Sequence, residues 1–465
     1  MNVMKKLLIC GLLLFAVCSC NETLTDVPDS PPMTRAISET VFSYDSITKP
    51  EVWSTFQSLE EMQAACQIPD SLLSIMTTDE LAKACVDYPL YGIYSAYNNE
   101  EDGVKVIMNG FNGFKELLSR EDGAAALVEC YEAFDADKLA SAMAEDADYH
   151  SDYNPLKLGY LELLLGSDEV TSKLSTSESE ELEQLQMAQL RKKESLPKYF
   201  GRKSLERTSN KLLATTGMVK VKTKCGKDVL GFLREEMSEY DIGYNDGYYD
   251  ATFPNAERIG SSSTTYNCHS YAWCMSDGGT TCWINANTKG QNISKYWTRD
   301  YYTSCTAENA VKIFYPNSDH SAIKYGTSGL YVSKWGSAPL MVHAPGYGPY
   351  SDMDTRNYYC HTNIYSALAC SEGTDEIEVG TEATYSVNFD STLIPNGSNV
   401  ETEWVVENAK GEDAIGNQAE LTEVSTGSAS ITFNHSGVYE ISFVVRLKDC
   451  GYEMIRCSYE ALVIN

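Results

Sequence analysis

The stretch Tyr266–Cys274, YNCHSYAWC, decides how this chain is to be read. It sets Cys268 beside His269, one of only six histidines in 465 residues, among aromatic side chains. Three chemistries suit such a cysteine: an activated nucleophile, a metal ligand or a buried thiol. Asn267 is a good helix N-cap residue, and neither proline nor glycine follows until Gly278. The expectation is a helix headed by Cys268, where unpaired backbone N–H groups and the positive end of the helix dipole favour a thiolate and can hold a developing oxyanion. Consecutive side chains on a helix point about 100° apart, so His269 is expected to pack elsewhere and not to serve Cys268.

The partner is therefore sought downstream. Residues 198–372 form short β-prone runs, tyrosine-rich and punctuated by glycine, and hold four of the six histidines and four of the six tryptophans. His320 lies in NSDHSAIKYG and His343 in PLMVHAPGYGPY, both strand-like segments. A cysteine at a helix head with two histidines on neighbouring strands supplies nucleophile, base and orienter, the parts of a triad. Zinc is the other class, since Cys268, His269, Cys274, Cys282 and Cys305 are ligand types. Their spacing lacks the paired cysteines of structural zinc knuckles, so no metal and no cofactor is expected.

These segments resemble the NlpC/P60 branch of the papain-like cysteine peptidases. That family places a cysteine at the head of a helix, then a strand opening on histidine, then a strand ending on a polar third residue. His320-Ser321-Ala322-Ile323 and Val342-His343-Ala344-Pro345 are similar to those two segments. The resemblance implies an α+β papain-like fold with Cys268 as nucleophile, His320 as general base and acid, and His343 as orienter. It covers about 100 of the 465 residues. The chain departs from it in carrying Asn-Cys-His-Ser where the family has Asp-Cys-Ser-Gly. It also inserts GLYVSKWGSA between the two histidines; Tyr266, Lys334 and Trp335 are the residues expected beside a substrate, the alternative for the insertion being a packed strand.

Outward from this region the composition changes twice. Residues 41–197 carry apolar positions at three- and four-residue spacing among strong helix formers, and the spacing predicts an all-α domain of about six helices. Thr77-Thr78-Asp79-Glu80 and Ser119-Arg120-Glu121-Asp122 read as helix starts. His150 reads as a solvated loop residue. Residues 373–465 alternate apolar and polar positions between turn signals, predicting six or seven short antiparallel strands. Trp404 and Tyr439 are placed as in an immunoglobulin-like sandwich, which this all-β segment resembles. His435 is expected in a loop.

The N-terminus reads as an export signal over residues 1–20: two lysines, an apolar run from Leu7 to Val17, then Cys20. Val17-Cys18-Ser19-Cys20 resembles a bacterial lipobox, which implies lipidation at Cys20 and a membrane anchor, with residues 21–40 as a flexible tether. The expected location is the bacterial cell envelope. A formal net charge of −30 argues against nucleic acid as a partner. Of 15 cysteines, Cys10, Cys18 and Cys20 lie in the signal, leaving twelve. Setting Cys268 aside leaves an odd number, so at least one further thiol is free; Cys274 and Cys282 are close enough in sequence to consider as a pair. The functional expectation is a lipid-anchored cysteine hydrolase that cleaves amide bonds in peptides or peptidoglycan stem peptides through an acyl-enzyme. Transfer of the acyl group to an amine uses the same residues. The alternative is a catalytically silent binding or adhesion lipoprotein on a papain-like scaffold.

Overall fold

A computed structural model describes residues 42–144, 154–209, 217–285, 293–298, 300–361, 368–391 and 400–465. The signal, the tether, Cys20 and His150 lie outside the described residues. Up to Ser209 the chain is helical, and after it the chain is built mainly of antiparallel sheets, so the molecule has a helix-then-β multidomain layout.

Local sequence explains the helices. Thr77 caps Thr78–Val86 with a full capping box, its side chain accepting from Glu80 N while the Glu80 carboxylate reaches back to Thr77 N. At the second expected start, Gly123–Glu132 follows Asp122, but Asp122 makes no cap and instead accepts from the Thr78 hydroxyl at 3.0 Å. Twelve α-helical segments, several of a single turn, precede Gly217 among the described residues, more than the sequence suggested. Pro155–Leu165 is apolar on nearly every side and is buried at the centre. Its Glu162 is fully enclosed and pairs with Lys193 at 2.7 Å, with the Thr208 hydroxyl completing the cluster at 2.8 Å. Removing one partner of such a buried pair costs about 3–5 kcal/mol.

The middle of the chain forms a hairpin and one large sheet. β1 (Gly217–Lys222) pairs with β2 (Asp228–Leu233). A helix, Glu239–Thr252, follows, capped by Ser238; its tyrosines had suggested a strand-like region. The seven-stranded sheet comprises β3 (Glu257–Gly260), β4 (Tyr302–Ser304), β5 (Lys312–Tyr315), β6 (His320–Tyr325), β7 (Leu330–Lys334), β8 (Leu340–His343) and β9 (Asn357–His361). Its order is β3-β8-β7-β6-β5-β9-β4. Alternation along β5 and β6 sorts the two faces: Ile313, Tyr315 and Ala322 join the core of the helical segment, whereas Phe314 packs with Trp273 and Cys274 on the other side. That first core runs from Tyr44 to Met353, so the helices and the sheet bury their apolar faces against each other across residue 197.

One junction in this shared core positions the site. The turn Tyr91–Ala96 docks on the β7–β8 loop, with Ser337 N and Oγ both donating to Ser95 O at 2.9 and 2.8 Å. Gly336 has φ 54°, and a Cβ there would lie 2.3 Å from Ala96 O, so only glycine allows the approach. The C-terminal segment has two four-stranded sheets that share a separate core around Tyr385, Trp404, Phe433 and Phe443. The first runs β10 (Leu368–Glu372), β12 (Glu382–Phe389), β15 (Ser428–Phe433), β14 (Ala419–Ser425), and the second β11 (Glu376–Glu378), β17 (Tyr452–Ile464), β16 (Gly437–Leu447), β13 (Val400–Asn408). Cys370–Cys457 lies within it, and Cys225–Cys450 ties the β1–β2 hairpin to it.

Candidate functional site

Cys268 heads a helical turn, as its neighbours predict. Asn267 Oδ1 accepts from Ser270 N at 3.1 Å and from Ile284 N at 3.2 Å, while its Nδ2 donates to Ile284 O and to Asn98 Oδ1. The turn thus carries an asparagine cap anchored on both sides, and Cys268 is 2% exposed. The helix packs on the face of β6 that presents Ser321.

His269 is not the bystander that helix geometry suggested. Its imidazole sits among polar partners from β6 and the residues just before it, and it is electrostatically coupled to Cys268. Nδ1 lies 2.9 Å from Ser321 Oγ, and Nε2 lies 3.3 Å from the Asp319 carboxylate. Burial pushes its pKa down, but Cys268 and Asp319 outweigh that and raise it to about 10. Asp319 is held below the usual carboxylate range by the same pairing, against its own burial. It has φ 47°, a left-handed conformation that aspartate tolerates, and this turns the chain sharply just before His320. Asn98 ties the cluster together, its Nδ2 lying 2.9 Å from Asp319 Oδ2 and 3.2 Å from His269 Nε2.

The two downstream histidines meet each other, at a ring separation of 6.4 Å. His320 is fully buried, stacks on Tyr350 at 4.2 Å, and has neither ring nitrogen hydrogen-bonded among the described residues. Burial, then the charges of His343 and His269, hold its pKa well below 6.5. His343 does not orient it. Trp335 Nε1–H donates to Ser333 Oγ at 3.0 Å, the Ser333 hydroxyl meets His343 Nε2 at 2.7 Å, and His343 Nδ1–H donates to Ala344 O at 2.8 Å. The carbonyl can only accept, so this chain fixes the tautomer and engages both nitrogens. Burial lowers the His343 pKa to about 4.

The expected substrate contacts divide. Lys334 and Trp335 are both wholly interior. The Lys334 ammonium is engaged by the carbonyls of Ser263, Gly336 and Ala338, and Trp335 packs against Phe253 and His343. Neither is presented to a ligand, because the inserted segment is a packed strand. Burial lowers the Lys334 pKa to about 7, against the opposing charge of Glu236. Tyr266 is half-buried, with Lys334 Nζ 5.1 Å from its ring centroid. Cys360-His361 ends a strand, β9, with His361 against Tyr301 and Tyr302.

A cleft of about 610 Å³ opens beside this cluster, lined by Asn98, Arg234, Thr264, Trp283, Asn285 and Ser337 among others. Cys268 is not on its wall. Among the described residues, no group of three or more histidine, cysteine or acidic side chains is placed to hold a metal ion, and no helix is long and apolar enough to cross a membrane. Asn98, Asp319 and Arg234 were missed by sequence reasoning. Asn98 precedes a helix cap about 170 positions upstream and carries no signal of its own. Asp319, one residue before a suspected histidine, was the legible clue. The chain is, by fold and site, a multidomain protein with a cysteine–histidine–aspartate cluster in which Cys268 and His269 are buried and Asp319 is partly exposed. No family model and no curated protein matches it.

Proposed function

We propose that this chain is an exported, lipid-anchored cysteine hydrolase that cleaves amide bonds, with a papain-like, NlpC/P60-like middle domain. The observation that carries the reading is the placement of Cys268 at a capped helix head directly before an imidazole held by Asp319 and Ser321. The Cys268 sulfur attacks the amide carbonyl carbon, and the tetrahedral intermediate collapses to a thioester as the leaving amine takes a proton from His269. Neutral His269 then removes a proton from water, the hydroxide attacks the thioester, and the thiolate departs with the imidazolium restored. Asp319 orients the ring and keeps it charged. Backbone N–H groups of the first turn face the oxyanion.

A second assignment of the proton carrier, His320, is favoured by its two unpartnered ring nitrogens. The two are separated by comparing His269→Ala with His320→Ala on a peptide substrate. We expect His269→Ala to lose about 10²-fold or more in kcat/KM, and His320→Ala to lose less. The reverse order would transfer the role to His320. Should both variants keep full activity, histidine catalysis is excluded.

The C-terminal segment is read as an immunoglobulin-like module that positions the hydrolase. Its support is the pair of facing four-stranded sheets, the buried Trp404, and Tyr439, whose hydroxyl donates to His435 O four residues upstream as in a tyrosine corner. Cys20 is the proposed anchor, the cell envelope the proposed location, and peptides or peptidoglycan stem peptides the proposed substrates.

A further inference from the structure

We infer that the cleft beside Asn98 is a binding site for a small ligand bearing a single carboxylate, with Arg234 as its anchor. Three observations converge. Arg234 lies on the cleft wall with its guanidinium 3.7 Å from the centroid of the Trp283 ring, and among the described residues it has no ion-pair or hydrogen-bond partner. Two neighbouring cations on the wall are engaged, Arg207 pairing with Glu100 at 2.7 Å and Lys203 reaching the same carboxylate at 3.4 Å, while Lys105 is exposed at the rim. Glu206, which also lines the cleft, pairs with Arg202 at 3.3 Å. Arg234 is thus a half-buried cation with no direct ion pair among the described residues, feeling the charges of Glu100 and Glu206 only at a distance.

The second observation is the polarity of the wall beneath it. Trp283 Nε1 and Asn285 Oδ1 are buried with no partner among the described residues. One is an unused donor and the other an unused acceptor, and both are on the cleft lining. A guanidinium flat on an indole leaves its N–H edge open, and that edge matches the two oxygens of a carboxylate. The third observation is charge. Glu101, Asp168 and Glu169 are exposed at the same cleft, so a polyanion such as a phosphate ester is repelled where a monocarboxylate is admitted.

The cleft reaches the catalytic cluster only through Asn98, and Cys268 is not on its wall, so this inference stands apart from the hydrolase reading. The carboxylate has two plausible carriers, a peptide C-terminus and an acidic sugar. The test is calorimetric titration of the whole chain and of its Cys268→Ala form with four probes: N-acetyl-alanyl-alanine, its C-terminal amide, glucuronate and glucose. A carboxylate probe is expected to bind about tenfold or more tighter than its neutral counterpart. Arg234→Gln is expected to erase that preference, and Arg234→Lys to retain part of it; a melting curve checks that each variant folds. Trp283→Phe, which keeps the stacking surface and removes Nε1, serves if Arg234→Gln does not fold, with weaker carboxylate binding expected. Preference for the peptide acid or for glucuronate identifies the carrier. Equal binding of acid and neutral probes, no binding of either acid at millimolar concentration, or an unaltered acid affinity in the Arg234 or Trp283 variants would overturn the inference. Binding that persists in Cys268→Ala while hydrolysis is lost keeps the two readings separate.

Discussion

At the scale of single residues, the candidate site turns on which imidazole serves Cys268. Sequence reasoning chose Cys268 correctly as the head of a capped turn, because Asn267 and the proline-free, glycine-free run after it are local signals. It set His269 aside on the spacing of helix side chains, and it could not see Asp319 and Ser321 arriving from β6 to hold that ring. Cys268 and Asp319 raise the His269 pKa from 6.5 to about 10, so any stability this contributes is fully present below pH 6.5 and is lost as pH rises through about 10. On the proposed mechanism the same shift would set the pH range of activity. Replacing Asp319 by Asn removes one of the charges that raise His269, so its pKa falls and the imidazolium is lost at lower pH. The alkaline limb of the kcat/KM profile is expected to move down in Asp319→Asn, with the acid limb less affected. An unmoved alkaline limb would show that Asp319 does not tune the catalytic proton.

At the scale of elements, the account rests on the turn that carries Cys268. The Asn267 side chain bonds Ser270 N, Ile284 N, Ile284 O and Asn98 Oδ1, joining the helix head, the loop before Asn285 and the helical segment. Asn267→Ala leaves these groups buried without partners and is expected to cost about 2–4 kcal/mol. Urea denaturation measures it, and a loss under 0.5 kcal/mol, typical of surface positions, would mean that the turn is held by other contacts. Helices with strong periodicity and capping residues were legible, as at Thr77–Val86, and so were the alternating strands of the C-terminal segment. Glu239–Thr252 was not, because its tyrosines and glycines mimic strand composition. The helix forms because Ser238 caps it and Tyr248 and Tyr249 are buried against the Tyr91–Ala96 turn.

At the scale of the whole molecule, composition marked a change near residue 197, but packing does not divide there. Trp53 Nε1 donates to Thr252 O at 2.8 Å, Tyr350 to Ala96 O at 2.8 Å, and Asn98 completes the cluster around His269. Such long-range contacts are invisible to local periodicity, which reports each element and not what covers it. A fragment beginning at Gly217 loses one side of this core and is expected not to show a cooperative melting transition for the seven-stranded sheet. Thermal denaturation followed by tryptophan fluorescence checks this, since Trp273 and Trp335 lie on opposite faces of that sheet. A fragment that melts as sharply as the whole chain would show that the helical segment is dispensable.

The central claim is that Cys268 performs covalent catalysis on an amide bond. The most direct measurement incubates the whole chain and its Cys268→Ala variant with peptidoglycan fragments and a peptide library, and follows products and protein adducts by mass spectrometry. The account predicts cleavage products, and an acyl adduct on Cys268, from the parent chain alone. Identical product profiles from the two proteins, or no cleavage by either, would contradict it and leave a binding protein on a silent scaffold.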